Sequence, residues 1–333
     1  MNFIKILGAS GSKTKDTGTT SFQINRDILV DAGNVISVLG EECTKINHIF
    51  LTHSHSDHIL DLPFIIESFY EKREETLTIY ASKETIKSLK DHTFNNQIWP
   101  DFSQINLLNS DKKALKYKEI KADEPIVLNE YEIIPFDAVH IKGAYAYEIV
   151  KNKDFSYIIS GDTYLSEKLI KKAKDIRVNS LLIECSFPNK LDKLAYDTKH
   201  LTPKLVKQML DEINRDDLQL FLYHLKPLYE QEIKDEITKH NILKNGGKVL
   251  FQGDTIHMKT GNVESELISQ SKFERIMEVN LELSSQLDKD KLFEMILTLI
   301  RELTHCEAGT LYILSKDKKS LDFKVVQNDP LDI

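Results

Sequence analysis

The stretch LTHSHSDHIL, residues 51–60, constrains this chain more than any other. It sets His53, His55 and His58 within six positions, beside Asp57. An ordinary core has no use for such a cluster. Imidazole and carboxylate groups taken out of water cost free energy unless they are paired or bind a metal. The preceding run, KINHIFLTH, reads as an apolar strand, so the cluster stands at a strand end. In extended chain His53 and His55 fall on one side. Asp57 and His58 come after the turn and can face a second point.

A zinc-type site needs three or four nitrogen, oxygen or sulfur ligands. Three more ligand-type residues directly follow apolar strand-like runs: His140 after IIPFDAV, Asp162 after YIISG, and His224 after LQLFLY. His53, His55, His140 and Asp162 make one set, and Asp57, His58, Asp162 and His224 make the other. Asp162 serves twice, since one carboxylate can bridge two ions about 3.5–4 Å apart. Alone, His140 or His224 would read as an ordinary core or surface histidine. Beside the cluster they read as ligands. Two divalent ions are expected, zinc first, with manganese or iron as alternatives.

Such a pair of ions suits phosphodiester hydrolysis, with a hydroxide bridging the two as nucleophile. Asp57 counts among both the ligands and the catalytic residues. Glu184 in LLIECSF and His200 in KHLTP are the other catalytic candidates. His200 stands just ahead of a helix start, which reads as a mobile junction from which it reaches a substrate. Glu184 is placed to orient it and keep it protonated. Three other features carry less. Asp254 in QGDT reads as a turn residue. Tyr145 and Tyr147 are open to base stacking or core packing. The loop GASGSKTKDTGTT does not fit a phosphate-loop pattern and reads as structural, near the site.

Composition narrows the class. The 333 residues are 41% hydrophobic and 29% charged, with a net charge of −8. That describes a globular chain with material for a sizeable core, and it opposes bulk nucleic-acid binding. A small anionic phosphodiester is the expected partner. Cys43, Cys185 and Cys306 are distant and odd in number, so no disulfide framework is read. No apolar run reaches the roughly 18 residues of a membrane span. A reducing cytoplasm fits.

Residues 1–260 alternate strand-like and helix-like segments, which predicts layers of sheet with helices outside. TPKLVKQMLDEI reads as a helix with Thr202 as N-cap and Pro203 at the first position. Residues 95–124 carry no clear period. Residues 261–286 read as a helical linker in which Phe273, Ile276, Asn280 and Leu283, with Leu287 just beyond it, form a seam, open to homodimer formation or to core packing. Residues 287–333 read as a helix end, then AGTLYIL and LDFKVV as a hairpin.

HxHxDH, the later histidine, the Gly-Asp pair and the final histidine together resemble the metallo-β-lactamase superfamily. The resemblance covers residues 1–260 and implies an α/β, four-layer αββα sandwich with a dinuclear metal site. Glu184-Cys185-Ser186, His200-Leu201-Thr202-Pro203 and His224-Leu225-Lys226-Pro227, in that order, resemble the class II cyclic-nucleotide phosphodiesterases. This implies hydrolysis of cyclic AMP or cyclic GMP to the 5′-nucleotide. Ser56 departs from the leucine usual at the fourth position of HxHxDH in that subfamily. A tRNase Z-like RNA 3′-processing endonuclease is the alternative. Its protruding arm has no room here, with Asp162 only 22 residues after His140. A weaker alternative within the superfamily is a thioesterase or lactonase. A signalling module that holds metal without turnover is the rival from another class. The tail resembles the start of a GAF domain, read as an incomplete sensor segment at 287–333, which suggests a piece of a longer signalling protein.

Overall fold

The computed structural model describes residues 3–108, 110–153, 155–244, 246–257, 260–265, 289–304, 308–315 and 320–328. The chain divides into two units, Met1–Glu266 and Leu267–Ile333. In the first, β1 (Phe3–Gly8), β2 (Ser21–Gln23), β3 (Ile28–Val30), β4 (His48–Phe50), β5 (Leu77–Ala81) and β6 (Leu115–Glu119) build one sheet. The second sheet holds β7 (Ile126–Leu128), β8 (Tyr131–Asp137), β9 (Tyr145–Lys151), β10 (Phe155–Ile159), β11 (Val178–Glu184), β12 (Gln219–Tyr223) and β13 (Lys248–Val249). β14 (Asp254–His257) and β15 (Val263–Ser265) return to the first sheet, ordered β15-β14-β1-β2-β3-β4-β5-β6.

Period-two alternation sorts each strand between two cores. In β12, Phe221 and Tyr223 face the other sheet, while Leu220 and Leu222 face outward helices. In β5, Tyr80 points between the sheets and Ile79 points away. Strands buried on both faces read as continuous apolar runs, as LQLFLY does. Outside the second sheet lie helices Glu167–Ala173, Pro203–Ile213 and Glu230–Lys239, contributing Leu169, Met209 and Ile233. Outside the first lie Leu62–Glu67 and Lys83–His92, contributing Ile65 and Leu89. The result is the four-layer αββα sandwich of the metallo-β-lactamase fold. The helix Pro203–Ile213 shows the local logic: the Thr202 side chain accepts the Leu205 amide, Pro203 fills the first position, and Asn214 ends it in the left-handed region.

Between the sheets an aromatic seam sets the spacing. Phe50 stacks on Tyr80 with ring centroids 4.4 Å apart and meets Tyr147 edge-on at 5.7 Å. Phe22 meets Tyr223 edge-on at 5.0 Å. Tyr145 and Tyr147 are buried here, which settles them as core. Asp254 is buried at the start of β14, closing its turn with the Phe251 amide and pairing with Lys248 at 2.9 Å.

Residues 263–265, expected within the helical linker that starts at 261, form a strand instead. Val263–Ser265 is β15, antiparallel to β14, so the first unit keeps these residues. The seam at Phe273, Ile276, Asn280, Leu283 and Leu287 lies outside the described residues. The second unit shows a helix, Lys289–Thr304, and a hairpin of β16 (Ala308–Leu314) with β17 (Leu321–Asn328). A Cβ at Gly309 would come within 2.8 Å of the Leu297 side chain, so the hairpin lies close on the helix. Among the described residues no helix is long and apolar enough to cross a membrane.

Phe22→Ala should empty the inter-sheet seam and cost about 3–5 kcal/mol of stability. Urea unfolding of the metal-free protein followed by circular dichroism measures it. An unchanged midpoint would mean that the seam contributes nothing.

Candidate metal centre

Strand direction builds the site. β10, β11 and β12 are parallel, and β8 runs with them because β9 is antiparallel to both β8 and β10. Their ends therefore share one edge, carrying His140, Asp162, Glu184 and His224. In the first sheet β3 and β4 are parallel and end before Asp31 and His53. One helical turn, Ser56–Ile59, then swings Asp57 and His58 inward. Glycine is required where this turn meets the β3 end: a Cβ on Gly33 would sit 2.0 Å from the Asp57 carbonyl oxygen. The early loop also closes on the site, since a Cβ on Gly11 would lie 2.8 Å from His224 Nδ1.

The structure brings all seven ligand candidates together. His53, His55, His140 and Asp162 offer ligand atoms within 4.8 Å of one another, and so do Asp57, His58, Asp162 and His224. Asp162 Oδ2 lies 3.7 Å from His53 Nε2, 4.0 Å from His140 Nε2 and 3.3 Å from His58 Nε2. Its Oδ1 lies 3.3 Å from His224 Nε2, which is 3.3 Å from Asp57 Oδ2. One carboxylate thus faces both sets.

The donors fit metal. His53 Nε2 and Asp162 Oδ1 are buried without a hydrogen-bond partner, a costly state for a polar atom with no ion beside it. Ring nitrogens of His55 and His140 approach to 3.1 Å, and those of His58 and His224 to 3.4 Å. Lone pairs crowded this closely are stabilised by a cation. Nitrogen and carboxylate oxygen in this ratio suit zinc-type ions.

The other ring nitrogens are anchored. His58 Nδ1 donates to Asp31 at 2.8 Å. His53 Nδ1 lies 3.1 Å from Thr52 Oγ1, which itself donates to Asp31 at 2.8 Å. His140 Nδ1 donates to the Lys199 carbonyl at 3.0 Å, and His224 Nδ1 to Ser186 Oγ at 3.0 Å. Each bond fixes a tautomer with Nε2 turned to the centre. Sequence reasoning assigned no role to Asp31, Thr52, Ser186 or the Lys199 carbonyl. Asp31 follows an apolar strand, the very signal that marked Asp162, but it also opens a turn and reads as one.

Charge follows position. Burial pushes His53 well below the usual imidazole range, aided by neighbouring histidines and opposed by Asp162. Burial likewise lowers His55 and His140. Burial opposes the charge on His58 too, but Asp162 and Asp31 outweigh it and hold its pKa well above the ordinary value. Burial raises Asp162, yet His224 and His58 prevail and hold it well below the carboxylate range. Asp57 is lowered the same way, with the His224 hydrogen bond overcoming burial.

Beside this centre, His200 Nδ1 donates to Glu184 Oε1 at 2.8 Å. Glu184 is fully buried and also accepts Ser186 Oγ at 2.7 Å and the Thr163 amide at 3.1 Å. Burial opposes the His200 charge, but Glu184 outweighs it and the pKa is raised. The mobile junction read for His200 is corrected here: the residue is 7% exposed, held between helices Asp192–Thr198 and Pro203–Ile213.

The family model of the anti-Pycsar protein Apyc1 matches residues 4–246, which hold β2 to β12 and every ligand candidate. The chain belongs to the Apyc1 family. Ribonuclease Z of Methanococcus maripaludis is 26% identical over 213 residues, 47% of this chain and 64% of that protein. The 3′,5′-cyclic-nucleotide phosphodiesterase 1 of Saccharomyces cerevisiae is 27% identical over 210 residues, 55% of each chain. The chain thus spans less than two thirds of either relative. The crystal structure of the metallo-β-lactamase fold protein YhfI from Bacillus subtilis superposes with a TM-score of 0.60 at 19% identity, over 76% of this chain and 98% of that one. The homologues are metal-dependent hydrolases of this fold, phosphodiesterase and ribonuclease Z alike.

Asp162→Ala should take bound metal below half of the wild-type content, read by elemental analysis on protein whose circular dichroism is unchanged. Asp31→Ala should leave every ligand in place yet weaken affinity about 10–100-fold, because two histidines lose their anchor. Competition against a chelator measures it, and equal affinity would remove Asp31 from the site.

Proposed function

We propose that this chain is a metal-dependent phosphodiesterase that converts a 3′,5′-cyclic nucleotide, cyclic AMP or cyclic GMP, to the 5′-nucleotide. The observation that carries this reading is the buried Glu184–His200 pair at 2.8 Å, set beside a carboxylate shared by two ligand sets. Two divalent ions, zinc in our assignment, held by His53, His55, Asp57, His58, His140, Asp162 and His224 would supply charge neutralisation and an activated water.

The remaining work falls to this chain's own groups. His200 Nδ1 is committed to Glu184, which leaves Nε2 to carry the mobile proton. Water adds to phosphorus and gives up a proton to solvent, the P–O3′ bond breaks, and His200 Nε2 donates its proton to the leaving 3′-oxygen, to be reprotonated from solvent afterwards. Glu184 stabilises the protonated ring and aims it. Asp57 orients the attacking water across from the leaving oxygen.

The endonuclease alternative shares the ligands. Two features support the smaller substrate. His140 connects to Asp162 through little more than the β9–β10 hairpin, with no inserted arm. The net charge of −8 offers little to a polyanion. In this reading the helix and hairpin of the second unit belong to a GAF-like sensor segment, and the protein works in the cytoplasm.

A substrate panel tests the proposal: cyclic AMP, cyclic GMP, bis-p-nitrophenyl phosphate and precursor tRNA, with the zinc- or manganese-loaded protein. Cyclic nucleotide should be turned over. His200→Ala should lower kcat about 10²–10⁴-fold while metal content holds. Cleavage of precursor tRNA with cyclic nucleotides untouched would overturn the reading, and metal loss in His200→Ala would make His200 a ligand instead.

A further inference from the structure

We propose that Tyr196, Tyr164 and the Lys199 ammonium form a platform for the planar base of a nucleotide, at the rim of the metal centre. The proposal deepens the phosphodiesterase reading and rests on it for the choice of ligand. Tyr145 and Tyr147, the tyrosines whose sequence position suggested base stacking, are sealed between the sheets. Another aromatic pair stands outside. Tyr164 and Tyr196 meet edge-on with centroids 5.5 Å apart. Lys199 Nζ lies 3.8 Å from the Tyr196 centroid and 5.6 Å from that of Tyr164.

Both segments are tied to the centre through their backbones. Lys199 adopts the left-handed region, φ 59°, and its carbonyl accepts His140 Nδ1 at 3.0 Å. It directly precedes His200. Tyr164 lies two residues after Asp162, and its amide donates to the Val139 carbonyl at 2.8 Å, next to His140. Tyr164 thus stands two residue steps, at most about 8 Å along the chain, from Asp162, and Lys199 one step from His200. A ribose bridges such a gap between phosphate and base.

A plainer account is available for part of the group. Tyr196 and Lys199 are three apart around a helix end, where surface cation–π contacts occur for local stability. That account leaves out Tyr164, which comes from a separate segment, and it leaves out exposure. Tyr196 remains 55% exposed. An exposed aromatic face beside a cation, at the mouth of a phosphate-handling centre, is the chemistry that recognises a base of any sequence.

Calorimetric binding of AMP, GMP and ribose 5-phosphate to the metal-loaded full chain tests this without turnover. The wild type should prefer a nucleotide over ribose 5-phosphate by about tenfold or more. Tyr196→Ala should collapse that preference while ribose 5-phosphate binds as before, Tyr164→Ala should reduce it, and Tyr196→Phe should keep it. Equal binding of nucleotide and ribose 5-phosphate by the wild type would overturn the platform. So would an unchanged preference in Tyr196→Ala, or an equal loss for both ligands. A preference that collapses in Tyr196→Ala, in a protein that leaves cyclic nucleotides intact, would keep the platform and remove the phosphodiesterase reading.

Discussion

The buried carboxylate of Asp162 is the constraint on which the site depends. Five histidines, His53, His58, His140, His200 and His224, bring ring nitrogens within 4.0 Å of it. An ionised carboxylate is expensive to bury without such company. These imidazoles arrive from two sheets, so the carboxylate is satisfied only when both sheets stand at the correct separation. The aromatic seam of Phe22, Phe50, Tyr80, Tyr147 and Tyr223 sets that separation. Packing and chemistry are therefore joined in this fold. The seam fixes a distance that the metal centre then uses.

A second carboxylate does comparable work one layer out. Glu184 Oε1 takes His200 and the Thr163 amide, while Oε2 takes Ser186 Oγ and the Leu201 amide. Ser186 in turn holds His224, a ligand candidate. His200 and one face of the candidate metal centre consequently share an anchor. Asp31 is the counterpart in the other sheet, holding His58 directly and His53 through Thr52. Each sheet contributes one buried carboxylate that orients histidines without facing the ions itself.

The juxtaposition of the ligand candidates could be read from sequence because the fold marks them in a local way. A polar residue directly after an apolar run has left the sheet, and parallel strands gather such residues at one edge. His140, Asp162 and His224 all carried that mark. Asp31 carried it too, but the turn that follows offered an adequate reason for an aspartate. Ser186 and Thr52 sit inside the motifs without ligand chemistry of their own. The Lys199 carbonyl has no side-chain signature at all. β15 is three residues long, too short for a period to show, and helical composition follows it closely. Within residues 95–124, the Asn95 and Asp101 side chains cap backbone amides in turns, and among the described residues only β6 is regular there. The tyrosines were a matter of parity: Tyr145 and Tyr147 alternate onto the inner face of β9, whereas Tyr164 and Tyr196 lie on loop and helix, outside any sheet.

The chemistry of the centre cannot by itself distinguish the relatives of this chain. A ribonuclease Z and a cyclic-nucleotide phosphodiesterase both align with it, and both reactions break a phosphodiester bond. An ion pair, a bound water and a donated proton serve either. Selectivity must then come from groups that touch the substrate beyond its phosphate. In this fold the candidates for such groups are the connections leaving the strand ends, such as the segment after Asp162 and the helix end before His200. These connections vary in length and side chain without disturbing the sheets, because the ligands are anchored from beneath by Asp31, Glu184 and backbone carbonyls. A scaffold that holds its metal centre from the core side leaves the solvent side free to choose the substrate.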